Sequence, residues 1–165
     1  MTEMTIAEQI SHKSGVELAP CRVEHLEWLR WIGIPSEALD FYQWSMPTKT
    51  AEIGKVRLCS AGEIYFENRD QCLPGSYANP NGYIIFATTV YGDAFCFDTR
   101  SESGARTPIV LIAHDLEPEG EEMSREKLAR LAKPISETFA GFLASLVAEK
   151  LDIEPLYPPF DPPSF

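Results

Sequence analysis

The sequence predicts an α+β domain in which a central antiparallel sheet, a meander, is flanked by N- and C-terminal helices. Three observations carry this reading. Apolar residues recur at helical spacing toward both ends of the chain, whereas β-prone runs occupy the middle. The middle runs are joined by turns and one modest loop, which suits antiparallel neighbours and not helical crossovers.

Taken in order, a short helix is expected over Ile6 to Lys13, ending near Gly15. Arg22 to Ile32 is a stronger helix: Val23, Leu26 and Leu29, with Trp28, Trp31 and Ile32 beside them, make a broad apolar stripe, and Gly33 stands at the C′ position. Ser36 reads as the N-cap of a second helix with Ala38, Leu39, Tyr42 and Met46 on its buried side, and Pro47 stops it. Gly62 to Glu67 has strand chemistry, short, aromatic and polar-flanked. Residues 69–82 are turn-rich, with Pro74, Gly75, Pro80, Asn81 and Gly82. Tyr83 to Thr89 is apolar on both faces, as a strand covered on both sides would be. Tyr91-Gly92-Asp93 turns the chain into a second strand, Ala94 to Asp98, and the loop Thr99 to Arg106 returns it for a third, Thr107 to Ala113. Ser124 to Ala132 is a short helix ended by Pro134. In Ser136 to Leu151, Phe139, Phe142, Leu143, Leu146 and Val147 mark one face of a closing helix.

At 165 residues the chain fits one domain, assigned to 1–154, followed by a tail from Pro155 to Phe165 with five prolines in eleven residues. A 44% apolar and 24% charged composition is that of a globular protein and not of a disordered segment. The formal charge of −11 argues against a phosphate-backbone binder, so nucleic acid is not an expected partner. No apolar stretch approaches the roughly 18–20 residues that span a bilayer, and the first residues lack a secretory pattern, so no membrane association is expected. Cys21, Cys59, Cys72 and Cys96 are too scattered for a disulfide framework, although their even number leaves a pairing open. These features point to the cytoplasm.

Catalytic motifs are absent from the sequence. There is no C-x-x-C or H-E-x-x-H, and Cys21 with His25 is an isolated pair, so no metal is expected. His114-Asp115 with Glu117 is a local His/carboxylate cluster that reads as an acidic strand end. No G-x-S-x-G elbow occurs, Cys96 reads as a small hydrophobe in a strand, and neither glycine-rich nucleotide loop is found. We therefore expect neither an enzyme nor a cofactor. Trp28, Trp31, Trp44, Phe41, Tyr42, Phe95 and Phe97 could line a cleft, but their spacing favours core positions.

Charge is unevenly placed. Residues 61–120 hold 9 acidic and 3 basic side chains, net −6, against net −2 before them and net −3 after. Asp93, Asp98, Glu102, Asp115 and Glu117 fall at strand ends or in loops, where they would form or border an acidic surface that captures a basic partner.

Three segments resemble the SUKH superfamily, which includes fungal cell-wall synthesis regulators and bacterial toxin-immunity proteins. Ile34-Pro35-Ser36-Glu37-Ala38-Leu39-Asp40-Phe41-Tyr42 is similar to its early hydrophobic-Pro and acidic/aromatic helix. Tyr91 to Asp98 resembles its Gly-Asp turn running into an aromatic strand. Pro108 to Ile112 with His114-Asp115, then Ile135 to Leu143, resembles its closing strand and S-x-x-F-x-x-F-L helix. Trp44-Ser45-Met46-Pro47 stands where the family often has Asn-Gly. The resemblance implies a non-enzymatic domain that neutralises a cognate protein toxin, often a basic nuclease, by direct binding. Two other readings stay open: a regulatory or scaffold module docking through its Pro-rich tail, and a small-molecule-binding protein or hydrolase using His114 or a cysteine.

Overall fold

Thr5 and Glu8 start the first helix by exchanging side-chain hydrogen bonds with each other's backbone N–H, leaving two orphan donors of the first turn satisfied. In the computed structural model, which describes residues 3–69, 74–100, 106–114 and 123–153, that helix is α1 (Ile6–Ser14). A short strand β1 (Leu18–Ala19) leads into α2 (Val23–Ile32), which ends at Gly33, and then into α3 (Ser36–Ser45). Strand β2 (Met46–Pro47) returns to pair antiparallel with β1. The hairpin β3 (Ala51–Ile53) and β4 (Val56–Leu58) follows, then α4 (Ala61–Glu67), whose N-cap Ser60 and Glu63 repeat the reciprocal capping of α1. A single-turn helix α5 (Gly75–Ala78) and a 3-10 turn (Asn79–Asn81) precede β5 (Tyr83–Thr89), β6 (Ala94–Asp98) and β7 (Ile109–Ile112). The chain then forms α6 (Arg125–Leu131), β8 (Lys133–Ser136) and α7 (Phe139–Val147).

The fold is α+β, with helices flanking a six-stranded antiparallel sheet of order β3-β4-β5-β6-β7-β8. Side chains alternate across its central strands, so each face has its own core. Ile84, Phe86, Phe95, Phe97, Ile109 and Leu111 join residues of α1, α2, α3 and α7 on one face. Tyr83, Ile85, Cys96, Val110 and Ile112 pack with Ala78, Met123 and Leu128 on the other. The register of β5 on β6 slips between Ile85 and Ala87, and this bulge turns both Phe86 and Ala87 into the larger core. There Phe86 stacks on Phe97 at 4.3 Å, and Phe142 of α7 meets the edges of Phe86 and Phe95 at 5.0 Å each. Each ring withdrawn from water in this way contributes about 1.5–3 kcal/mol of transfer free energy. Gly75 begins α5 because its Cα presses on the end of α4: a Cβ there would lie 1.9 Å from the Glu67 carbonyl oxygen. No helix among the described residues is long and apolar enough to cross a membrane.

Several elements differ from the sequence expectation. Gly62 to Glu67 is helical because Ser60 and Glu63 form a complete capping box, a stronger local signal than the aromatic pair Tyr65-Phe66. Pro35 occupies the N-cap of α3 and Ser36 its first turn. The last helix begins at Phe139, since Thr138 caps it and Lys133–Ser136 is taken by the edge strand β8. The sheet gains three strands beyond the three expected, β3, β4 and β8.

Candidate functional site

Of the five carboxylates singled out in the sequence, Asp93 and Asp98 fall within the described residues, and both are buried. Asp93 follows the tight turn between β5 and β6 and is only 3% exposed. Its Oδ1 accepts the backbone N–H of His114 at 3.2 Å and lies 2.9 Å from that residue's Nδ1. Gly92 allows this, because the His114 ring sits against it and a Cβ would come within 3.3 Å of the ring at a φ of 94°. Asp93 thus ties the β5–β6 turn to the end of β7. The His114 ring is half-exposed, and no hydroxyl or thiol among the described residues hydrogen-bonds it.

Asp98 closes β6 and is 7% exposed. The Arg125 guanidinium of α6 pairs with its Oδ1, donates to the Asn81 carbonyl at 3.2 Å and lies 4.2 Å over the ring of Tyr83. The Arg100 N–H adds a further hydrogen bond to Asp98 at 3.3 Å. Burial pushes the Tyr83 phenol up, with the Asp98 charge adding to it and Arg125 opposing. Tyr83 and Asp98 border a cleft of about 440 Å³ between α6 and β8 that also includes Ser136 and Glu137. Asp93 and Asp98 are therefore internal anchors of the sheet, each neutralised or hydrogen-bonded at home, and not part of a free acidic exterior. A carboxylate at a strand end is withdrawn from water when the following element supplies a donor, as His114 and Arg125 do here. Glu102, Asp115 and Glu117 lie outside the described residues.

Cys21 and His25 do share a cleft, of about 260 Å³, with Arg22, Thr48 and Gly62. Among the described residues no group of three metal-ligating side chains gathers there or elsewhere. Cys21, Cys59 and Cys96 are free thiols, and burial pushes all three up, Cys59 and Cys96 most. The Tyr42 hydroxyl is fully buried without a hydrogen-bond partner.

The aromatic residues divide. Tyr42, Phe95 and Phe97 are core, as their spacing predicts, and Phe41 and Trp28 are half-buried. Trp31 and Trp44 instead keep 82% and 68% of their surface in water, and Phe66 on α4 keeps 58%. Helical spacing could not separate these, because Trp31 lies beside Ile32, which packs on the core, and Trp44 lies two residues from the buried Tyr42 and Met46. On α3 the exposed residues Ser36, Asp40, Gln43 and Trp44 follow at i, i+4, i+7 and i+8, forming one outer ridge with no basic residue on the helix. The Cys21 N–H reaches the Tyr42 and Gln43 carbonyls, bringing the start of α2, with exposed Val23, to the Trp44 end of α3. On the α4 side, Trp28 packs on Tyr65 at 4.9 Å, and the Arg69 guanidinium lies 5.2 Å from the centre of the Tyr65 ring.

A scan against models of known protein families finds none that matches this chain, and a comparison with curated proteins finds no match.

Proposed function

We propose that the protein is a non-enzymatic, cytoplasmic binding domain of the SUKH type that neutralises a protein toxin, a basic nuclease being the best electrostatic fit, by direct contact. The observation that carries the reading is the outer ridge of α3. A tryptophan two-thirds exposed stands one helical turn after Asp40, on a helix with Glu37 and Asp40 and no cation, beside the exposed Val23. Tryptophan is the residue type most enriched among interface hot spots, and an acidic surround speeds capture of a basic partner. The net charge of −11 acts in the same direction over longer range. Binding then runs through Trp44, Asp40 and Val23, while Asp93 and Asp98 hold the scaffold beneath.

Co-expression with the toxin domain encoded beside this protein tests the proposal. Wild-type protein is expected to restore growth, and a Trp44→Ala, Asp40→Lys double variant of normal solubility to lose that protection. Failure of the wild type to restore growth contradicts the reading.

A further inference from the structure

The exposed aromatic surface has a second end, and its charges are laid out differently. Around Trp44 only acidic residues lie on the helix. Around Trp28 and Trp31 both signs occur, carboxylates on α2 and a guanidinium at the Tyr65 ring that Trp28 packs on. Glu24 and Glu27 precede Trp28 and Trp31 by one helical turn on α2, whereas Arg69 caps the Tyr65 ring on the α4 side of the stack. Arg30 is 200° around α2 from Trp28 and so faces away from this stack. Glu24 forms an exposed local ion pair with Arg22 at 3.8 Å, but neither Glu27 nor Arg69 has an ion-pair partner among the described residues. Trp31 and Phe66 flank the Trp28–Tyr65 pair as exposed rings.

An aromatic centre with a carboxylate on one side and a guanidinium on the other is self-complementary. A two-fold axis through the rings lays the Glu27 side of one copy on the Arg69 side of the other, twice, and buries both sets of rings together. That is the requirement of an isologous dimer interface. We infer that the α2/α4 face built on Trp28, Trp31, Tyr65 and Phe66 is where two copies of this chain associate. This goes beyond the partner-binding reading and does not depend on it, since the Trp44 ridge is a separate part of the helical surface.

Sedimentation velocity of the full chain over a wide concentration range tests the inference. The wild type is expected to shift reversibly from 18.5 kDa to twice that mass as concentration rises. Trp31→Ala and Phe66→Ala should each raise the dimer dissociation constant at least about tenfold, and Trp44→Ala should leave it unchanged. Charge exchange gives a second arm that does not depend on truncating a ring. Glu27→Arg alone and Arg69→Glu alone should each yield monomers, and an equimolar mixture of the two should form a heterodimer, because both cross-contacts then pair opposite charges. A wild type that stays at 18.5 kDa throughout overturns the inference, as does a dimer untouched by Trp31→Ala and Phe66→Ala or a mixture that fails to pair. A monomeric wild type that still protects cells from the toxin removes the dimer and leaves the proposed function standing.

Discussion

The carboxylate of Asp93 accepts the backbone N–H of His114 and lies 2.9 Å from its ring Nδ1, and so fastens the β5–β6 turn to the end of β7, the strand beside β6. Removing it in Asp93→Ala leaves the His114 N–H without its acceptor beside the buried Asp93 position. The expected cost is about 1–3 kcal/mol, read as a lower urea midpoint with an unchanged slope. Asp93→Asn keeps an acceptor for the backbone N–H and should lose less.

Glu67 gives the pH dependence a sign. Burial first, and the neighbouring Glu63 charge second, raise its carboxyl above the ordinary value of 4.5. An acid whose pKa is raised by folding stabilises the native state fully below its unfolded value, and that contribution is lost as pH rises through the folded value. Glu67→Gln should therefore raise the melting temperature at pH 7, and the gain should vanish below pH 4.5. A variant that melts below the wild type at pH 7 would show that the charged form makes a favourable contact.

The sheet's centre was legible because its strands carry the plainest signals: Tyr83 to Thr89, Ala94 to Asp98 and the run ending at Ile112 all pair as their patterns predict. The β3–β4 hairpin also carries an alternating signal in the sequence. Ala51, Ile53, Val56 and Leu58 are buried and alternate with exposed Glu52 and Arg57 around Gly54-Lys55. Strand β8 was hidden by Pro134, which is tolerated there because an edge strand need not offer every N–H to the ladder. The site was less legible. Strand-end position suggested that Asp93 and Asp98 face water, but which donor a carboxylate meets depends on His114, 21 residues away, and Arg125, 27 residues away. Exposure of Trp31 and Trp44 likewise depends on how far α2 and α3 roll on their neighbours, which periodicity fixes only to within about one position.

That division between core and surface rings has a direct consequence for stability. Phe142→Ala should cost about 3–5 kcal/mol, since the ring is fully buried against Phe86 and Phe95. Trp44→Ala removes a larger side chain from a mostly wet position and should change stability by no more than about 0.5 kcal/mol. Equal costs for the two would show that the α3 ridge is packed.

The free thiols should separate under alkylation. Cys21 is half-buried beside a cleft and should be modified in the native protein, whereas Cys59 and Cys96 should react only on unfolding, their thiols buried and pushed up. Peptide mass mapping after a short exposure to iodoacetamide distinguishes them. Native-state modification of Cys96 would mean that the β5–β7 layer opens.

Calorimetric titration of a candidate basic nuclease toxin domain with this protein measures the central claim most directly. A one-to-one complex whose affinity falls at least about tenfold in Trp44→Ala, and weakens as salt is raised, is the predicted result. Absence of heat with the wild type, or an affinity that Trp44→Ala and Asp40→Lys leave unchanged, would contradict it.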